Sequence, residues 1–308
     1  MQLEFVKMNG LGNDFVVLDA RQNKGLLDAR HEAGMLDARD QAITLTANQA
    51  RYIADRHFGI GCDQILIIAP SDVADITMHI LNSDGSVAAA CGNGSRCVAD
   101  RVMVETNAQS LSMETLGGVI TAARAGENIA IDMGTAWLDW QDIPLAYEAD
   151  TAALDLGSAL GIDDLPPAIA VNMGNPHAVH IVDDASAIDL AHLGPQLEHH
   201  SIFPDRANIE FISLLDKDTI RMRVWERGSG ITIACGTGAC ASAVATARAG
   251  LTGRQVTVHL DGGVLDIHWR DDGGVTMTGP SSTSFQGVVD LTPADRLADT
   301  ILALKGAS

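Results

Sequence analysis

The octet ACGNGSRC at residues 90–97 returns, little changed, as ACGTGAC at residues 234–240. Cys91-Gly-Asn-Gly therefore has a near-copy, Cys235-Gly-Thr-Gly, 144 residues downstream. The flanks repeat too. Asn82-Ser-Asp-Gly-Ser stands nine residues before Cys91, and Glu226-Arg-Gly-Ser-Gly nine before Cys235. Further upstream, Gly12-Asn-Asp-Phe-Val-Val pairs with Gly174-Asn-Pro-His-Ala-Val at an offset of 162. Repetition on this scale constrains a 308-residue chain to two similar halves, each with its own core. The two offsets differ by 18, so the first half carries extra residues between Asn13 and Asn82, and the charged stretch 21–42 is the natural insertion. The expected lobes are residues 1–134 and 135–283, with a tail over 292–308.

Short runs rich in Ile, Val and Leu predict strands: LEFVKM, DFVVLDA, DQILIIA and DITMHIL in the first half, HAVHIVD, ANIEFISLL, TIRMRVWE, QVTVHL and VLDIHW in the second. DG, GG and NG turns separate them. Helices are fewer: one around 46–57, and one after each Cys-Gly motif. The second of these, TGACASAVATARAG, is apolar nearly all round until Arg248, with Gly250 as a stop, so other structure must wrap it. The pattern predicts an α+β fold of two pseudo-symmetric lobes, each a curled, mostly antiparallel β-sheet or barrel around a central helix. SFQGVVDL at 284–291 reads as a surplus strand returning to the first lobe. After it, Thr292 and Pro293 can start a docking helix with Leu297, Ile301 and Leu304 on one face.

The charge balance narrows the partners. Forty acidic against twenty basic residues leave a formal net charge of −20, which repels nucleic acid and anionic membrane surfaces. The basic residues form no run. The N-terminus shows no basic region followed by an apolar run, and no stretch is long enough to cross a bilayer, so a cytoplasmic protein is expected. There the five cysteines would be reduced thiols.

Each Cys-Gly motif has the same physical parts. A cysteine ends a strand, glycines permit a tight turn and close approach of a ligand, and a helix starts at once. Free N–H groups and the positive end of the helix dipole then face the sulfur and whatever binds beside it. Such a place favours thiolate and also accepts a carboxylate. Two thiols on either side of one cleft suit stereoinversion at a carbon: one takes a proton from one face, the other delivers a proton to the opposite face. Thiols of similar proton affinity serve both directions. The helix N-termini would hold the substrate carboxylate, which gains charge as the neighbouring carbon is deprotonated.

The motifs MNGLGNDFVV (8–17), GIGCDQ (59–64), NSDGS (82–86), CGNGSRC (91–97), GNPH (174–177), ERGSG (226–230) and ACGTGAC (234–240), in this order, resemble the diaminopimelate epimerase family over about residues 3–290. The resemblance implies a cofactor-independent isomerase that interconverts LL- and meso-diaminopimelate, in lysine and peptidoglycan precursor biosynthesis, and a homodimer. It implies Cys91 and Cys235 as the catalytic pair. Gly92 with Asn93, and Gly236 with Thr237, match the backbone donors for the reacting carboxylate. Asn13, Gln64, Asn82, Asn175, Asn208, Glu226 and Arg227 match substrate-binding positions, and His177 and Glu226 match side chains that support activity. Amides, one glutamate and one arginine are the donor–acceptor mix that a ligand with two ammonium and two carboxylate groups needs. The stretch 21–42 and the tail beyond 291 are longer than the family pattern.

Other readings are weaker. Cys91-x5-Cys97 and Cys235-x4-Cys240 lack zinc-site spacing, so no metal is expected. Gly10-Leu-Gly12 lacks the third glycine of a dinucleotide fingerprint, no phosphate-binding loop is present, and none of Lys7, Lys24, Lys217 and Lys305 sits in a loop suited to pyridoxal phosphate; no cofactor is expected. Cys97 and Cys240 fall inside helices and read as packing residues, and Cys62 has no repeat partner. A proline racemase-like enzyme is the nearest rival; those relatives carry histidine after the first Cys-Gly, where this chain has Asn93. A non-catalytic amino-acid-binding protein with the same lobes would be expected to lack one of the two cysteines.

Overall fold

A computed structural model of the chain describes residues 2–21 and 45–294. Nearly all of the 21–42 insertion, and the tail helix expected after Thr292, lie outside the described residues.

The chain forms two compact units, Met1–Arg124 with Ser281–Ser308, and Ala125–Pro280. The first begins with a hairpin of β1 (Gln2–Gly10) and β2 (Asn13–Asp19), turned by Leu11 and Gly12, both at positive φ (59° and 83°). Two consecutive positive φ values are what a two-residue hairpin turn needs to match strand twist. β3 (Gln64–Ala69) runs parallel to β2, and the crossover between them carries α1 (Ala47–Ala54). Thr46 caps that helix: its hydroxyl accepts from Gln49 N, while the Gln49 side chain accepts from Thr46 N. β4 (Ile76–Asn82) is antiparallel to β3 and also to the short β5 (Val87–Ala88). The helix α2 (Gly92–Thr106) follows. It leads to β6 (Ser110–Thr115), parallel to β4, and β7 (Gly118–Ala125), antiparallel to β6.

The second unit opens with β8 (Asn128–Thr135), followed by the one-turn α3 (Gly157–Leu160). β9 (Ala168–Asn172) is antiparallel to β10 (Pro176–Ile181), and α4 (Leu190–Glu198) comes next. β11 (Asn208–Asp216) is parallel to β10 and antiparallel to β12 (Thr219–Glu226). β12 is antiparallel to β13 (Gly230–Thr232) and parallel to β14 (Gln255–Leu260). Between these last two lies α5 (Gly236–Arg248). β15 (Gly263–Trp269) is antiparallel to β14 and to β16 (Gly274–Gly279).

The two units use one plan strand for strand. β1 to β7 repeat as β9 to β15 with each pairing kept, antiparallel or parallel, and with a helix at the same point. The fold is α+β and sheet-rich, as the strand pattern implies. The change of unit falls at Arg124/Ala125, ahead of β8, whereas the sequence pattern places it at Gly134. The reason is pairing: β8 hydrogen-bonds to β16, so the strand counts with the second unit. The surplus strand β17 (Ser282–Asp290) pairs antiparallel with β1 in the first unit, Gln2 opposite Asp290.

Each cysteine-linked helix is a core element. In α2, the run Asn93–Ala99 is buried, Arg96 completely. In α5, Gly238–Thr246 is buried without a break, in contact with β9, β10, β11, β12, β14, β15 and β16. A helix with no polar face has to be enclosed in this way, and small residues such as its five alanines let strands approach closely. Gly250, at φ 72°, follows its end.

Candidate active site

In the first unit, β5 leads into Cys91, which is the N-cap of α2: its backbone is extended (φ −154°, ψ 101°) and its sulfur accepts from Gly94 N at 3.3 Å. The thiol thus replaces the usual Ser, Thr or Asp at an N-cap and takes the N–H of the third helical residue. Gly92 and Asn93 are the two residues before that donor.

Strand register assembles the amides around this point. Gln64 opens β3 and Asn82 closes β4, and the two are direct cross-strand partners, Gln64 Nε2 donating to Asn82 Oδ1 at 2.9 Å. Asn82 Nδ2 donates in turn to Ser86 Oγ at 2.9 Å. Asn13, the first residue of β2, donates to Asp63 Oδ2 at 2.8 Å and accepts from Asn93 Nδ2 at 3.3 Å. The buried Arg96 donates to Asn93 Oδ1 at 2.9 Å and so orients that amide.

The second unit builds the equivalent arrangement with more charge. Cys235 caps α5 (φ −125°, ψ 110°), its sulfur accepting from Gly238 N at 3.3 Å and lying 3.6 Å from Thr237 Oγ1. Gly236 and Thr237 are the first two residues of the helix. Asn208, which opens β11, pairs in register with His177, the second residue of β10. Its Oδ1 accepts from Arg227 N at 3.0 Å, and its Nδ2 donates to Pro176 O at 3.0 Å. His177 sits between two oxygens: Nε2 lies 2.9 Å from Asn175 Oδ1, and Nδ1 lies 2.6 Å from Glu210 Oε1. Glu226, the last residue of β12, accepts from the Thr232 hydroxyl. Arg227 is exposed, with Nη1 donating to Asp205 O at 3.0 Å. Its turn is fastened from α4, where Glu198 accepts from Gly228 N at 2.9 Å and from Trp225 Nε1 at 2.7 Å.

Burial sorts the thiols and acids. Cys62 and Cys97 are both pushed up to about 12 by burial, which makes them inert packing residues. Cys240 is fully buried inside α5. Burial also raises Cys235 well above the ordinary thiol value, and the neighbouring charges of Glu226 and Glu210 add to the effect. Glu226 itself is raised by burial, although its bonds to Thr232 and Cys235 oppose the shift. Thiol and acid therefore both favour their neutral forms, and this part of the second unit holds protons tightly.

Three contributors escape the sequence reading: Glu210, Glu198 and Thr232. Glu210 had a legible signal, a single acid in the mostly apolar run IEFISLL, whose first part is buried on both faces of β11. Glu198 and Thr232 had none, since each matters only through a partner brought by the fold.

The family model described as diaminopimelate epimerase matches residues 5–138 and 169–284, which include every one of these positions and both cysteine-capped helices. The chain belongs to the diaminopimelate epimerase family. A diaminopimelate epimerase of Rhodospirillum centenum is 50% identical over 295 residues, covering 95% of this chain and 94% of its own length. One from Erythrobacter litoralis is 46% identical over 290 residues, covering 94% and 98%. As a member of the diaminopimelate epimerase family the chain is an isomerase, an epimerase. The fold extends to more distant proteins: a phenazine biosynthesis protein of the PhzF family from Bacillus anthracis aligns with TM-score 0.62 at 13% identity, over 94% of this chain and 99% of its own. Among the described residues, no helix is long and apolar enough to cross a membrane.

Proposed function

We propose that this chain interconverts LL- and meso-diaminopimelate by a cofactor-free, two-cysteine proton transfer, serving lysine and peptidoglycan precursor synthesis in the cytoplasm as a homodimer. One observation carries the mechanism. Each of two strand-for-strand equivalent units places, three residues after a short strand, a cysteine whose sulfur caps a buried helix.

In the reaction, the thiolate of one cysteine takes the α-proton, and the thiol of the other gives its proton to the opposite face of the same carbon. The first cysteine ends as a thiol, the second as a thiolate, and the reverse reaction exchanges their roles. The carbanion's charge spreads into the α-carboxylate. The N–H groups of Gly92 and Asn93, and of Gly236 and Thr237, lie at helix starts and suit that developing charge. Arg227 supplies a guanidinium for the distal carboxylate, and the amides of Asn13, Gln64, Asn82, Asn175 and Asn208 supply the mixed donors and acceptors that hold ammonium and carboxylate groups. Glu226 serves beside Cys235, and His177 supports the site through Asn175. The substrate names of the 50% and 46% identical relatives support diaminopimelate over a cyclic imino acid.

The test is to incubate purified protein with LL- or meso-diaminopimelate in D2O and follow stereochemistry and α-deuterium, with proline as control. Both isomers should converge on one mixture with α-deuterium in the product, and proline should be untouched. Cys91→Ala and Cys235→Ala should each lower turnover by about 10²–10⁴-fold or more. Full turnover in either variant would rule out the two-thiol mechanism, and turnover of proline alone would rule out the substrate.

A further inference from the structure

The repeat makes the two half-sites directly comparable, and one of their differences lies in the core beneath the sulfur. Carried across by the 144-residue offset, Glu210 corresponds to Leu66; by the upstream offset of 162, His177 corresponds to Phe15. Both pairs occupy the same parallel pairing, β2 with β3 and β10 with β11. Leu66 and Glu210 lie under the same helical turn. An atom added at the Cβ position of Gly94 would meet Leu66 Cδ1 at 3.0 Å and Cys91 Sγ at 3.3 Å. An atom added at Gly238 would meet Glu210 Oε1 at 2.7 Å and Cys235 Sγ at 3.2 Å. Leucine under the first thiol is thus replaced by glutamate under the second, with only the width of a missing methyl between carboxylate and sulfur; the partner of that glutamate, His177, stands where the first unit has Phe15.

This replacement is costly. Glu210 and His177 have no exposed surface. Glu210 Oε1 lies 2.6 Å from His177 Nδ1, while Oε2 is buried with no hydrogen-bond partner. An acid left half-satisfied in a core destabilises the fold, and an aliphatic side chain fits the same place in the sister unit. We propose that Glu210 is a positioning residue for the reaction: it locks the His177 ring through Nδ1, and its charge keeps the proton on the Cys235 sulfur in the resting protein. With Nδ1 held against the carboxylate, the ring keeps Nε2 2.9 Å from Asn175 Oδ1 in one orientation. The groups that face Cys235 within its unit are Glu226 from β12, Glu210 from β11 and, beyond it, His177 from β10. The inference rests on the epimerase reading, in which one thiol must be protonated as the other takes the α-proton.

The test compares wild type with Glu210→Gln and Glu210→Asp. Glutamine keeps the shape and can still accept from Nδ1–H, but lacks the charge; aspartate keeps the charge. Folding is checked by circular dichroism and melting. The first readout is the rate at which iodoacetamide modifies Cys235 at pH 8, resolved from Cys240 by fragment mass. Loss of the charge should lower the thiol's proton affinity and raise its thiolate fraction, a gain partly offset by lower nucleophilicity, so the rate should rise about 3–10-fold in Glu210→Gln. In Glu210→Asp it should stay within about twofold of wild type, because a charge remains. The second readout is turnover: kcat should fall about tenfold or more in Glu210→Gln while KM changes less than about threefold, since no substrate contact is removed. An unchanged alkylation rate or an unchanged kcat in Glu210→Gln overturns the proposal. If wild type itself fails to turn over diaminopimelate, the epimerase reading falls, while the alkylation rates still decide what Glu210 does to Cys235.

Discussion

The two glycines that donate to the sulfurs provide a matched pair of substitutions. Both Gly94 and Gly238 sit in the first turn of a buried helix, and alanine at either gains about 1 kcal/mol of helix propensity. The added methyl meets different neighbours. At position 94 it meets the tip of Leu66, 3.0 Å away, which can rotate or tilt by a few tenths of an ångström at a cost similar to the propensity gain. At position 238 it meets Glu210 Oε1 at 2.7 Å, and that oxygen is held by His177 in a fully buried pocket. Either the helix start moves outward, or the Glu210–His177 bond breaks. Overpacking costs about 1–3 kcal/mol, and a disrupted buried hydrogen bond about as much again, so the net loss for Gly238→Ala is about 1–4 kcal/mol. Gly94→Ala should lie within about 1 kcal/mol of wild type. In thermal melts followed by circular dichroism, Gly238→Ala should unfold about 3–10 °C below wild type, and Gly94→Ala close to it. Gly238→Ala should also lose more epimerase activity, because displacement of the first turn shifts the Gly238 N–H that the Cys235 sulfur accepts from. Equal melting temperatures for the two variants would refute the buried carboxylate's placement under α5.

Two further outcomes follow from the charges and thiols. Burial alone would raise the Asp14 carboxyl, but bonds from Arg56 and Lys7 override it and hold the group at about 2 against an ordinary 3.8. A depressed folded value stabilises above the unfolded one, so this contribution, about 2 kcal/mol, is present above about pH 4 and lost as pH falls through about 2. Asp14→Asn should therefore melt below wild type at pH 7, with the gap narrowing between about pH 4 and pH 2; a gap independent of pH would sink the assignment. At pH 8, iodoacetamide should modify the half-buried Cys91 and leave Cys62 and Cys97 intact, since burial holds both of those thiols protonated; peptide mass mapping that finds Cys62 or Cys97 modified in folded protein would contradict it.

Much of the architecture was legible before any coordinates. Strand runs, the glycine-bounded helices and the offsets of 144 and 162 are local or periodic features, and the pairings of β1–β7 and β9–β15 repeat as the motifs do. The place of β8 was not legible, because whether a strand between two similar halves joins one or the other depends on its partner β16, some 140 residues away. Single residues divide the same way. Gln64 and Asn82 could be named from their motifs, but their direct hydrogen bond follows from the β3–β4 register.

The chain on its own determined that there would be two equivalent units, each with a cysteine at the start of a helix, because capping, glycine turns and apolar periodicity act over a few residues. Tertiary structure alone decided that the two thiols would be unequal. Glu210 reaches His177 across 33 residues of chain and lies beside Cys235, while Leu66 fills the matching place by Cys91. The electrostatics of a buried sulfur depend on whichever groups packing brings within a few ångströms, and the local pattern that marks Glu210 as an acid in an apolar run does not record which sulfur it meets.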